Sequence, residues 1–233
     1  MNTFTFNGKT SSSFGLSVEH WPNMKAPVRR VEKIVVPGRS GDLTYDTGAF
    51  DNVDMEYQVY FNSGADTFFE KTSKILNWLL GSNGYCQLSD TYNTAVFRQA
   101  ILANQEEVED FLNRYGRTRI VFDCKPQKWL FTGASQTAVV SGATVTNNYM
   151  PSYPLFKATG NGSITVGTDV LTITNNSGKT MTIDCETMNC YDNDGNRNAD
   201  VTVTGNFPVL KTGSNVVTYD VSTLTMAPRW WTL

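Results

Sequence analysis

The chain has 233 residues, of which 40% are hydrophobic and 18% charged, and a net charge of -3. That length accommodates one large domain or two modest ones with cores of their own, and the composition excludes a disordered chain. The slightly acidic balance excludes a basic footprint, so nucleic acid and anionic membranes are not expected as electrostatic partners.

The opening MNTFTFNGKTSSSFGL lacks a basic stretch followed by an apolar run and does not read as a signal peptide. No window approaches the ~20 apolar residues that cross a bilayer. Alternating apolar positions predict strands at Phe4/Phe6 and at Phe14/Leu16/Val18. Between them, Gly8-Lys9-Thr10 resembles the end of a phosphate loop, but Thr3 stands where that loop needs its first glycine, so a hairpin turn is the better reading. Pro37-Gly38-Arg39-Ser40-Gly41 combines a fixed φ with two permissive glycines, which predicts a tight turn projecting Arg39. A strand follows at Met55/Tyr57/Val59/Phe61. Asp66 to Leu80 then reads as a helix with Phe68, Phe69, Ile75, Leu76, Leu79 and Leu80 on its apolar face, Thr72 filling the gap. Thr67 with Glu70 forms a capping box, and Gly81 is a natural stop. On this reading an aspartate at position 76 would sit in the core and unfold the domain. Ile120/Phe122/Cys124 mark one more strand.

Residues 1-131 hold 14 Lys/Arg and 15 Asp/Glu, residues 132-233 only 5 and 7, and the second part is rich in Thr, Gly, Asn and Val. The shift follows Trp129, in the stretch Thr132-Gly133-Ala134-Ser135, and divides the chain into domains 1-131 and 132-233. The second part offers short β-rich runs at Ile164-Val166, Val170-Thr174, Met181-Cys185, Val201-Thr204, Val216-Val221 and Arg229-Leu233. Turn pairs at Asn161-Gly162, Ser177-Gly178 and Asp194-Gly195 separate several of them. The glycosylation-like triplets Asn161-Gly162-Ser163 and Asn175-Asn176-Ser177 read as such turns. Many short strands without helices imply an antiparallel sandwich.

The residue types that carry catalysis are sparse. His20 is the single histidine, and a lone His before Trp21-Pro22 reads as a loop or edge residue rather than a general base. Asp192-Asn193-Asp194-Gly195 has the look of a calcium loop, but positions one and twelve of that register are Cys190 and Val201, so an Asx-rich hairpin is preferred. Glu106-Glu107-Val108-Glu109-Asp110 contains carboxylates of the kind a glycosidase uses, though a solvated loop explains them more simply. Cys86, Cys124, Cys185 and Cys190 are too sparse and too irregular for a disulfide scaffold or a zinc site and read as reduced, partly buried side chains. No catalytic, cofactor-binding or metal-binding residue is predicted, and no enzyme. Trp230 and Trp231 face opposite sides if the chain end is a strand, which leaves one for the core and one for an aromatic surface contact.

Several segments together resemble the distal tail proteins (Dit) of long-tailed phages infecting Gram-positive bacteria. They are Phe4-x-Phe6-x-Gly8-Lys9-x-Ser11-Ser12-x-Phe14-Gly15-Leu16, then Val31-Glu32-x-Ile34-x-Val36-Pro37-Gly38-Arg39-x-Gly41-Asp42-Leu43, then Met55-Glu56-Tyr57 and Trp78-Leu79. Phe122-Asp123-Cys124-Lys125-Pro126, Gly205-Asn206-Phe207-Pro208-x-Leu210, Gly213-x-Asn215 and Pro228-Arg229-Trp230-Trp231-x-Leu233 follow in the family's order. The resemblance implies a mainly β chain: an N-terminal, barrel-like β domain carrying one helix, then a galectin-like antiparallel β-sandwich. It implies a structural tail-tip protein, assembled in the bacterial host cytoplasm, whose N-terminal domain closes a homo-hexameric ring, single or double. Such a ring joins the tail tube protein to tail-tip, tail-associated lysin or baseplate proteins. Pro37, Gly38, Arg39 and Gly41 are the candidates for the ring interface. A carbohydrate-binding adhesion module using Trp230 or Trp231 is the alternative, although the second domain has no room for the inserted carbohydrate modules of larger relatives.

Overall fold

The computed structural model describes residues 2–20, 22, 25–62, 64, 66–103, 109–111, 115–174, 176 and 178–233. The chain is mainly β, as expected, and divides into two compact units, Met1–Lys128 (with Leu233) and Trp129–Thr232. Among the described residues no helix is long and apolar enough to cross a membrane.

The first unit contains strands β1 (Phe4–Phe6), β2 (Lys9–Thr10), β3 (Leu16–Val18), β4 (Arg29–Ile34), β5 (Leu43–Phe50) and β6 (Val53–Asn62). Helix α1 (Phe68–Leu80) follows, then β7 (Cys86–Asp90), β8 (Val96–Leu102), β9 (Glu109–Phe111) and β10 (Tyr115–Cys124). Seven strands pair in the order β2-β1-β7-β8-β10-β6-β3, and β9 pairs the Tyr115–Arg117 end of β10 on the edge whose other end meets β8. The backbone of the sheet is the antiparallel pair β6–β10, in register from Val53↔Cys124 to Asn62↔Tyr115. Period-2 alternation buries Val53, Met55, Tyr57, Val59 and Phe61, and the last four join Phe4, Phe6, Leu88, Ala100, Ile120 and Phe122 in one core. The β1–β2 hairpin turns at Asn7 (φ 48°) and Gly8 (φ 73°), the positive pair of a two-residue hairpin turn. The Gly-Lys-Thr triplet is thus a turn running into a strand.

Helix α1 begins at the capping box read from the sequence: Glu70 N–H donates to Thr67 Oγ1 (3.3 Å) and Thr67 N–H to Glu70 Oε2 (3.0 Å). Its buried face differs from the expected one. Ile75, Trp78 and Leu79 are buried, whereas Phe69, Leu76 and Leu80 are exposed. Trp78 decides the rotation. Its ring stacks on Phe14 at 4.3 Å and on Phe4 at 5.6 Å, and Nε1 donates to the Phe6 carbonyl at 3.2 Å. Phe14 reaches that stack because Ser11–Phe14 is a 3-10 turn closed by Gly15 at φ 69°, so the strand expected from Phe14 starts only at Leu16. An aspartate at position 76 is therefore tolerated rather than unfolding. Leu76→Asp is expected to cost about 1 kcal/mol or less, and Ile75→Asp several, as read by urea unfolding of the two variants. Equal losses would place the helix in another rotation.

Strand β11 (Lys128–Leu130) runs across the division of the chain at Trp129, and a single helical turn, α2 (Phe131–Ala134), follows in the second unit. Next come β12 (Thr137–Ala138), β13 (Ala143–Asn147), β14 (Leu155–Thr159), β15 (Gly162–Val166), β16 (Asp169–Ile173) and β17 (Thr180–Asp184). It closes with β18 (Asn189–Asp192), β19 (Gly195–Asn196), β20 (Val201–Thr204), β21 (Gly213–Tyr219), β22 (Thr223–Ala227) and β23 (Trp231–Thr232). Two antiparallel sheets, β12-β22-β14-β17-β18-β19 and β13-β21-β15-β16-β20, share one core that includes Phe156, Ile164, Leu171, Ile173, Met181, Ile183, Val217 and Leu224. This is the expected antiparallel sandwich. The strand read over Arg229-Leu233 is shorter than expected, because Arg229 takes φ 53° and only Trp231–Thr232 pairs, with β11.

Candidate functional site

The feature without a partner of its own is the hairpin β4–β5. It pairs with nothing else among the described residues and is solvent-exposed from Val28 to Ala49, apart from Val36. Its root is tied by ion pairs Arg29–Asp46 (3.1 Å) and Arg30–Asp51 (2.5 Å), and Arg29 lies over the Phe50 ring at 5.5 Å. Exposed pairs of this kind add little, and a two-stranded ribbon by itself is marginal in water. The register places Ile34 opposite Leu43 and Glu32 opposite Tyr45, so one face carries Ile34, Leu43 and Tyr45 together with Glu32. The other face carries Val31, Lys33, Thr44 and Asp46. Ile34 is 48% exposed and Tyr45 60%, values high enough that the isolated subunit leaves this apolar face in water.

The four residues singled out for an interface form the arm's tip. Arg39 N–H donates to the Val36 carbonyl at 3.2 Å, closing a turn with Pro37 second and Gly38 third at φ 80°. That is a type II turn, whose third position requires positive φ. Gly41 also lies in the left-handed region, at φ 85°. Pro37, Gly38, Arg39 and Gly41 are all exposed.

No family model matches the sequence, and no curated protein does. Solved structures match it over nearly all of both chains. The crystal structure of Dit from phage SPP1, described as a paradigm of the hub adsorption apparatus in phages infecting Gram-positive bacteria, aligns with a TM-score of 0.74 at 8% identity, covering 97% of each chain. The baseplate of phage p2, in its activated conformation with strontium, aligns with a TM-score of 0.53 at 8% identity and again 97% of each chain. The chain has the Dit fold.

In this Dit fold the remaining sequence candidates are dispersed. Trp230 is half-buried against the sandwich core. Trp231 is half-buried too, 6.4 Å from the Trp129 ring, with Nε1 donating to the Pro151 carbonyl at 2.9 Å. His20 is exposed beside Glu19, whose carboxylate pairs with Arg117 at 2.5 Å. Asp192 lies in the β18–β19 hairpin, where Arg197 bonds it at 2.6 Å and bonds Asp200 at 2.6 Å, so a cation already occupies that acidic turn. Glu106, Glu107 and Val108 lie outside the described residues, as do Trp21, Asn175 and Ser177; Glu109 and Asp110 belong to β9. All four cysteines are free. Burial pushes the Cys124 thiol up to about 12 and Cys190 up to about 11, so both are unreactive thiols near neutral pH.

The sequence did not single out the clamp on the chain's last segment. Arg229 forks onto Asp184 with Nη1–Oδ1 at 2.6 Å and Nη2–Oδ2 at 3.0 Å, and its N–H donates to the Gly133 carbonyl at 2.7 Å. Ser152 Oγ donates to the Pro228 carbonyl at 2.8 Å. Burial alone would raise the Asp184 carboxyl, but the hydrogen bonds and charge of Arg229, helped by the Glu186 and Thr187 amides, outweigh it and hold the carboxyl below its ordinary value. A depressed carboxylate stabilises the fold fully above its unfolded pKa, near 3.9, and loses that contribution as pH falls through the folded value. The sandwich is expected to lose stability on acidification below about pH 4. Asp184→Asn should cost about 2 kcal/mol at pH 7 and flatten that acid limb in pH-dependent melting. An unchanged limb would assign the acid sensitivity to other carboxylates.

Proposed function

We propose that the chain is a structural hub subunit of a phage or phage-derived tail tip. Copies close head to tail into a hexameric ring through the first unit, and the ring joins the tail tube to the tip or baseplate proteins. The observation that carries this reading is the β4–β5 arm: a ribbon held to its subunit by little more than its own root, presenting Ile34, Leu43 and Tyr45 to solvent. A ring requires two different patches on each subunit that complement each other, and such an arm is one half of that contact. Pro37, Gly38, Arg39 and Gly41 form the leading edge of the contact, with Arg39 free to bond a carboxylate or backbone carbonyl on the neighbour. The Dit fold supports the reading, since SPP1 Dit is described as a hub protein and the p2 match is a baseplate.

The functional division follows the domains read from the sequence, 1-131 for ring formation and 132-233 for a galectin-like sandwich facing the tip proteins. The protein works in the virion, at the tail tip, and turns over no substrate. Light scattering over a wide concentration range, with negative-stain images of each species, tests the proposal. A hexamer or double hexamer with a central hole is the expected result. A strict monomer at every concentration, even after mixing with the tail tube and tip proteins of the same particle, would overturn it and make glycan binding through Trp230 or Trp231 the next reading to examine.

A further inference from the structure

Helix α1 carries an apolar surface that the fold of the subunit does not use. Phe69, Leu76 and Leu80 are 78%, 39% and 52% exposed. Their spacing places them within about 40° of one another around the helix. They form a ridge about 16 Å long at the helical rise. It lies roughly a third of a turn from the buried Ile75, Trp78 and Leu79.

Eleven large hydrophobic side chains are exposed among the described residues of the first unit, six on the arm or at its root and three on the ridge. The remaining two have places of their own. The Tyr85 hydroxyl accepts from Asn52 Nδ2 at 2.6 Å, and its ring lies 5.2 Å from the Lys125 ammonium. Tyr60 stands singly on β6, opposite Arg117 and Ser17, and a lone exposed aromatic needs no partner. Among the described residues the first unit therefore carries two apolar patches of unlike shape, a flat ribbon and a convex ridge. Both are exposed in one subunit, so neither covers the other there. A two-stranded ribbon is marginal in water and gains stability by packing on a helix. Ring closure, in turn, requires two unlike patches that meet between copies.

We propose that the Ile34/Leu43/Tyr45 face of the arm docks on the Phe69/Leu76/Leu80 ridge of the neighbouring copy. The contact rests on the ring reading above and supplies its second half. Glu32, the charge on that face, lies toward the root of the arm, where its carboxylate stays in water at the rim.

Cross-linking between copies tests the contact under the conditions in which the wild type closes rings. Ile34→Cys protein is mixed with Leu76→Cys protein and treated with a short bis-maleimide, the unsubstituted protein with its half-buried Cys86 setting the background. A covalent dimer is expected from the mixture and from neither variant alone. Thr44→Cys, on the ribbon's opposite face, should give none with Leu76→Cys. Assembly is the second readout. Phe69→Asp and Leu76→Asp should each remove the rings from light scattering, raising the assembly midpoint about a hundredfold or more. Circular dichroism checks folding, and Phe69→Asp decides the question if Leu76→Asp does not fold, since an aspartate suits the first turn of a helix. Wild-type rings without a linked dimer above background, or rings that close normally in the folded Asp variants, would overturn this contact and leave the hub reading standing. A dimer from Leu76→Cys copies alone would overturn it too, because ridge would then meet ridge across a two-fold axis. A wild type that closes no ring with its tail partners would overturn both readings.

Discussion

A Phe4→Ala protein is expected to lose about 3–5 kcal/mol of stability in its first unit, a large share of the ~5–15 kcal/mol that a domain of this size possesses. Phe4 is fully buried and forms the middle of an aromatic cluster, 5.0 Å from the Tyr57 ring and 5.6 Å from each of Trp78 and Phe122. Three elements meet on this one ring: β6 through Tyr57, β10 through Phe122 and α1 through Trp78. Truncation removes the burial of the ring and leaves a cavity that well-packed aromatic neighbours cannot fill without leaving their rotamers. Aromatic pairs also contribute beyond their buried area, so three geometries are lost at once. Urea unfolding followed by hydrogen exchange in β6 and β10 measures the effect. A loss below about 1 kcal/mol would show that helix and sheet are held together elsewhere.

The second large effect concerns assembly rather than folding. On the proposed ring contact, Ile34→Asp combined with Tyr45→Asp is expected to leave the subunit folded and to abolish ring formation. Both side chains are already in water in the isolated subunit, so the substitutions remove no core contact. In the ring they would bring unpaired carboxylates into a desolvated contact, at a cost of several kcal/mol per interface. The register supplies the control. Thr44 and Lys33 face the opposite side of the same ribbon, so Thr44→Asp should disturb assembly far less. Light scattering distinguishes the two variants, and circular dichroism confirms that each is folded. Rings formed by the Ile34/Tyr45 variant at wild-type concentrations would rule out the arm as the ring contact.

The sequence was most legible where one local rule acts alone. The alternation Met55/Tyr57/Val59/Phe61 specifies a strand with one dry face, and the register with β10 follows it residue by residue. Thr67 and Glu70 specify a helix start through two hydrogen bonds made within four residues. It was least legible where apolar residues outnumber the positions that bury them. Helix α1 offers seven apolar side chains around much of its circumference, and periodicity cannot rank them. The candidate site was legible only in part. Pro37 and Gly38 announce a turn by backbone chemistry alone, but the ribbon behind it has no alternating pattern for a reader to follow, because neither of its faces lies on a core of its own. Asp184 and Arg229 carry no local signal, being 45 residues apart.

By itself, then, the sequence determined the class of the chain, the places where strands and the helix begin, and an order of motifs resembling that of distal tail proteins, because capping, turn geometry and alternation act within a few residues. The tertiary structure alone decided which face of α1 is dry, that Phe14 leaves its strand to stack on Trp78, and that the arm presents Ile34, Leu43 and Tyr45 on a single face. Those outcomes depend on which side chains from distant segments compete for one packed volume, and at the density of a protein interior only one arrangement of them fits.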